Sequence, residues 1–261
     1  MTEPQWVSLR TSDGIRLSAA HWAVDVHEVG CVVAHGFTGS SRNPHVQRIC
    51  RALAAQGIGV LSPDFRGHGR SGGLGTAGDD EIHDVAAAVA WLRAAGYRFV
   101  AVLGWSMGGT AVLRHAGLGG DADAVVSVSA PGLWWERGTR SMRLVHWMVE
   151  SRSGRTATRV LRRTRLSPTM WAAAVPAAPV EVAGAIAPRP LLLVHGTADR
   201  YFPIHHLDAL ASAAPAAEVW VEPAMGHAEV ATTNDLVARI GAWVVAVYKS
   251  ASGVCDDELR D

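Results

Sequence analysis

Short apolar runs alternate along the chain with longer stretches in which apolar residues recur at helical spacing. Runs at 16–21, 31–35, 58–62, 99–104, 124–129, 190–195 and 218–222 predict β-strands, and helical spacing predicts helices over 44–56, 80–95, 107–117, 205–213 and 233–248. In the second helix Ile82, Val85, Ala86, Val89 and Leu92 make the apolar stripe, with Asp79 or Asp80 as its candidate cap. Strands alternating with helices are the pattern of βαβ units, so the chain is predicted to be α/β with a largely parallel sheet. The runs at 31–35, 99–104 and 190–195 are nearly continuous in apolar residues, which fits strands covered on both faces, and they are expected at the middle of the sheet. The pattern implies one core domain over 1–130 and 176–261, with a helical cap insertion at 131–175. The Ala- and Pro-rich stretch 175–190 then returns the chain to the sheet.

Composition narrows the class. Nearly half of the 261 residues are apolar, enough for one large core. The 24 basic and 24 acidic residues balance, which argues against a surface built for nucleic acid. The balance is not local: nine arginines between Pro131 and Val175 face only Glu136 and Glu150, a net of +7 that the remainder offsets. Cys31, Cys50 and Cys255 cannot all pair and form no zinc spacing, so a reducing compartment is expected. No run approaches the roughly eighteen apolar residues of a membrane span, and Met1 to Arg10 lacks a basic start followed by an apolar stretch. The expectation is a cytoplasmic protein.

The most specific motif is Gly104-Trp105-Ser106-Met107-Gly108, placed between the apolar run Val100 to Leu103 and a helical stretch. A serine on a tight strand-to-helix turn is presented at the carboxyl edge of a sheet, and small residues two positions to either side let neighbouring backbone come close. The hydroxyl needs a base to take its proton. His227 follows the run 218–222, and Asp199 ends His195-Gly196-Thr197-Ala198-Asp199 after the run 190–195, so the order along the chain is Ser, Asp, His. Asp208, Glu218 and Glu222 are nearby competitors for the acid, but Asp199 alone ends a strongly apolar run. Two backbone amides, those of Phe37 in His35-Gly36-Phe37 and of Met107, are the candidate donors to an oxyanion. Trp105, Trp134 and Trp135 are the aromatic candidates for substrate contact.

These stretches, together with Asp64-Phe65-Arg66-Gly67-His68-Gly69-Arg70-Ser71 and Gly226-His227, resemble an α/β-hydrolase of the serine aminopeptidase and monoacylglycerol lipase-like group. The resemblance implies a mostly parallel eight-stranded sheet flanked by helices, with a cap at the insertion and the Asp64 to Ser71 segment as a structural loop. It also implies an acyl-enzyme cycle on Ser106 that needs neither metal nor cofactor. A serine at this turn argues against haloalkane dehalogenase or epoxide hydrolase chemistry, where the position carries aspartate.

The substrate depends on the insertion. Leu133, Trp134, Trp135, Met142, Val145, Trp147, Met148 and Val149 suit an apolar acyl group, with Met142, Val145 and Val149 on one helical face. A carboxylic ester is therefore the expected substrate and an acyl thioester the alternative, in which Arg159, Arg162 and Arg163 would hold an anionic carrier. The basic insertion could also meet an anionic membrane surface, and a binding protein without catalysis is the reading from a different class.

Overall fold

Alternation of side chains across a strand decides where each residue of this chain is buried. The computed structural model describes residues 3–134, 136–171 and 174–253. Its strands are β1 (Gln5–Arg10), β2 (Arg16–Trp22), β3 (Val29–Ala34), β4 (Gly59–Pro63), β5 (Phe99–Trp105), β6 (Ala124–Val128), β7 (Leu191–Gly196) and β8 (Glu218–Glu222). They form one eight-stranded sheet in the order β1-β2-β4-β3-β5-β6-β7-β8. β2 runs antiparallel to both β1 and β4, and every other pairing is parallel. β1 falls outside the runs read from sequence, although Val7 and Leu9 turn inward while Trp6, Ser8 and Arg10 are exposed.

The helices are α1 (Pro44–Ala54), α2 (Glu81–Ala94), α3 (Met107–Gly117), α4 (Arg140–Glu150), α5 (Arg152–Arg162), α6 (Pro179–Val182), α7 (His205–Ala213), α8 (Ala228–Ala231) and α9 (Asn234–Ser252). One face of the sheet presents Val32, Ala34, Val100, Val102, Leu191 and Leu193 to α2, α3 and α7. The other presents Cys31, Val33, Ala101, Leu103, Trp105, Leu192 and Val194 to α1 and α9. Each large side chain buried in this way contributes about 1.5–3 kcal/mol. β3 and β5 lie at the middle as expected, whereas β7 is one strand from the edge and is still buried throughout. Residue 255 lies outside the described residues, while Cys31 and Cys50 are buried free thiols.

The predicted cap of α2 is corrected. Asp80 occupies the cap position but makes no side-chain cap bond, and Asp79 pairs with Arg114 at 3.0 Å. Glu81 does the tethering instead, accepting from the Thr76 and Gly78 amides at 2.8 Å each and from the Thr76 hydroxyl.

The Asp64 to Ser71 loop is a knot of buried charge. Asp64 accepts from the Ser41 amide and hydroxyl at 2.7 Å and from the Arg70 amide at 2.9 Å. Arg66 pairs with Asp13 and Asp84, both at 2.8 Å, tying the β1–β2 turn to α2. Burial opposes the guanidinium charge, but the bonds to these carboxylates outweigh it and hold Arg66 protonated. Gly69 has φ +50°, and a Cβ there would lie 2.2 Å from Asp64 Oδ2. Gly69→Ala is expected to destabilise the fold by about 2–3 kcal/mol, a fall of roughly 4–12 °C in Tm by calorimetry; an unchanged Tm would refute this account of the loop.

Candidate active site

Four parallel strands end on one edge, and each delivers one part of the site. Ser106 follows β5 in a left-handed conformation, φ 54° and ψ −118°, that a non-glycine residue adopts only under constraint. The constraint is close backbone packing. A Cβ on Gly104 would lie 2.2 Å from Gly108 O, and one on Gly108 would lie 2.1 Å from Ala34 O, so no larger residue fits at either place.

His227 Nε2 lies 2.9 Å from Ser106 Oγ, and His227 Nδ1 lies 2.7 Å from Asp199 Oδ2. Asp199 Oδ1 accepts the Tyr201 and Phe202 amides at 2.8 and 3.1 Å, so one carboxylate both orients the imidazole and caps its own turn. Burial raises the cost of the Asp199 charge, but the bonds from His227 and these amides outweigh it and hold the carboxyl below its usual range. Tyr201 stacks on the His227 ring at 4.3 Å and Phe202 meets it edge-on at 5.3 Å. The competitors are engaged elsewhere or turned outward: Glu222 pairs with Arg239, Glu218 accepts two indole N–H groups, and Asp208 is exposed.

Ser106 and His227 line a cavity of about 920 Å³, as do Phe37 and Met107, while Asp199 lies buried behind His227. Among the described residues neither of their amides has a protein acceptor, which leaves both available to a ligand oxygen. The 131–175 segment supplies Leu133, Trp134, Met142, Val145, Met148 and Val149 to the opposite wall. Trp134 packs on Trp171 and donates its indole N–H to Pro176 O at 2.7 Å.

One aromatic expectation is not met, and one falls outside the described residues. Trp105 points to the sheet face covered by α1 and α9, is fully buried and bonds Thr232 Oγ1 at 3.0 Å, because it alternates with Gly104 along β5; it does not line the cavity. Trp135 lies outside the described residues. Of the arginines expected to hold an anionic carrier, Arg162 lines the cavity and Arg159 and Arg163 do not; Arg155 lines it in addition. Sequence reasoning also passed over Tyr201 and Glu229, whose positions beside Asp199 and His227 were the available signal.

At the cavity mouth Glu136, His205 and His206 converge, with His205 and His206 Nε2 at 2.7 and 3.2 Å from Glu136 Oε2. The Gly132 amide donates to His206 Nδ1 at 3.3 Å, so the His206 proton sits on Nε2 and is directed at the carboxylate. That tautomer makes a hydrogen-bonded set and withholds the lone pair a metal would need.

The sequence model of the alpha/beta hydrolase family matches residues 31–240, most of the chain. The chain belongs to the alpha/beta hydrolase family. Sequence comparison with curated proteins finds no significant match. Among solved structures, this family member is similar to an esterase of Pyrococcus furiosus, with TM-score 0.71 and 24% identity over 95% of this chain and 92% of the esterase. It is also similar to Est1E of Butyrivibrio proteoclasticus, with TM-score 0.68 and 17% identity over 94% of this chain and 100% of the other. A Xanthomonas campestris protein described as a serine hydrolase without a lid aligns with TM-score 0.61 and 19% identity over 96% of each chain. At these identities the likenesses carry the fold, and the narrower resemblance to aminopeptidases and monoacylglycerol lipases rests on the motifs alone.

If the three side chains of this alpha/beta hydrolase family member act as a relay, a fluorophosphonate labels Ser106 and no other serine. Asp199→Asn is expected to slow that labelling by a factor on the order of 10⁴, read by mass spectrometry over time; labelling at the unaltered rate would remove Asp199 from the relay.

Proposed function

We propose that the protein is a serine hydrolase that cleaves carboxylic esters carrying a medium apolar acyl group through an acyl-enzyme on Ser106. The observation that carries this reading is the Ser106–His227–Asp199 chain of hydrogen bonds, which meets a largely apolar cavity through Ser106 and His227. In the first half-reaction Ser106 Oγ attacks the carbonyl carbon as His227 Nε2 takes its proton, and the amides of Phe37 and Met107 receive the oxyanion. His227 then returns the proton to the leaving oxygen. In the second half a water repeats the sequence and frees the acid and Ser106.

The volume is that of a site for a medium-sized organic ligand, and Met142, Val145, Met148 and Val149 suit an alkyl chain. Arg155 and Arg162 at the wall favour a second reading, a thioester on an anionic carrier. The similarity to esterases of known structure supports the ester reading. p-Nitrophenyl esters of graded acyl length are expected to give a kcat/KM maximum at intermediate length and to exceed acyl-CoA of equal length; the reverse preference would replace ester with thioester.

The exposed face of residues 131–175 adds a partner to this reading. Val160 and Leu161 of α5 are 70 and 77% exposed, next in sequence to the exposed Arg159 and Arg163. Such a face suits peripheral contact with anionic lipid. Vesicles rich in phosphatidylserine are expected to co-sediment the protein, and Leu161→Asp is expected to weaken that association; equal sedimentation with neutral vesicles would remove the charge argument. Among the described residues no helix is long and apolar enough to cross a membrane.

A further inference from the structure

Glu229 takes no part in the relay, yet it reaches the loop that carries the Phe37 amide. Its Oε1 accepts the Gly36 N–H at 2.6 Å, one peptide before that amide. The next peptide is gripped from the far side. Gly36 O accepts from the Gly39 amide at 2.9 Å and from His35 Nδ1 at 2.8 Å, while His35 Nε2 accepts from the Phe65 amide at 3.1 Å. In a trans peptide C=O and N–H point in opposite directions, so holding Gly36 O inside the loop turns the Phe37 N–H outward, to the cavity. Two successive peptide planes are thereby locked, the first by Glu229 and the second by His35 and Gly39.

The fit is close. A Cβ on Gly36 would lie 3.2 Å from Glu229 Oε2 and 3.3 Å from Ser106 Cβ, so carboxyl, loop and nucleophile meet with no side chain between them. Glu229 also sits two residues beyond His227, on α8, and Arg48 donates to its backbone carbonyl at 3.3 Å. The bond to Gly36 therefore ties the segment bearing the base to the loop bearing the oxyanion donor.

We propose that Glu229 is a positioning residue for the oxyanion hole: through Gly36 it sets the Phe37 amide at the place where the tetrahedral oxyanion forms. This rests on the hydrolase reading above. What the role requires is an acceptor oxygen and not a charge. A carboxylate beside the hole opposes the developing negative charge, and burial pushes the Glu229 carboxyl above its usual value against the pull of the Gly36 amide and His227. A neutral acid or an amide keeps an oxygen on Gly36 equally well.

Two variants separate acceptor from charge. Glu229→Gln keeps the oxygen, and Glu229→Met removes it at similar volume. For the ester preferred by the wild type, the Met variant is expected to lose about 10- to 100-fold in kcat with KM within roughly threefold, and the Gln variant to keep kcat within roughly threefold. By NMR, the Gly36 amide proton is expected far downfield in wild type and Gln variant and shifted upfield in the Met variant. Should the Met variant not fold, Glu229→Ala carries both measurements. Wild-type kcat in the variant lacking the acceptor, a Gln variant as slow as it, or an unmoved Gly36 resonance would each overturn the proposal. A wild type that cleaves no ester and reacts with no fluorophosphonate would defeat the functional reading instead, and the Gly36 resonance would then still decide whether Glu229 braces the loop.

Discussion

The close approach of Gly108 to β3 is the constraint on which the rest of the structure depends. With its Cα against Ala34 O, α3 starts where β5 stops, and the turn between them must pass through the left-handed conformation at Ser106. Ser127 and Ala130 crowd Gly109 from the other side, where a Cβ would lie 2.8 Å from each. The turn is therefore over-determined by backbone contacts, and strain of this kind, on the order of 1–3 kcal/mol, persists only under such over-determination. Parallel pairing of β3, β5, β6, β7 and β8 then brings the loops after β3, β5, β7 and β8 to the same edge. That arrangement lets residues as distant in sequence as Phe37 and His227 share one cavity.

Within the site, rigidity comes from groups that each hold two partners. Asp199 gives one oxygen to His227 and the other to the amides of its own turn. His35 bonds through both ring nitrogens, to Gly36 O and to the Phe65 amide, and burial pushes it down to about 4, so it stays neutral with a fixed tautomer. A ring that stays neutral and is held at both nitrogens is suited to bracing the loop and unsuited to the proton transfer proposed for His227.

The parts of the site that were legible in sequence are those governed by local rules. A serine between an apolar run and a helical stretch, flanked by glycines, specifies a turn, and an acid just past an apolar run specifies a strand terminus; Ser106 and Asp199 were reached in this way, and His227 by its place after the run 218–222 and the order Ser, Asp, His. Trp105 adjoins Ser106 in sequence, but side-chain alternation along β5 sends it to the opposite face of the sheet. β1 was missed because it is a short edge strand whose outward positions are exposed. Glu229 was illegible for a different reason: its partner is Gly36, 193 residues away, and no periodicity reports a contact of that range.

The 131–175 segment follows the same division. Its apolar positions were readable as a helical face, but its seat on the core depends in part on long-range backbone bonds that no sequence pattern reports. Arg165 donates its amide to Gly67 O and accepts the Gly75 amide, both at 2.8 Å, and its guanidinium reaches Ser71 O. Gly67 has φ +73°, and a Cβ there would lie 2.2 Å from Arg165 O, so the glycine is needed for the segment to dock at all. The loop that sequence resemblance marks as structural is thus also the surface on which the far wall of the cavity rests. Arg66 anchors that loop to Asp13 and Asp84, so the charge network beneath it and the shape of the cavity above it are mechanically one object.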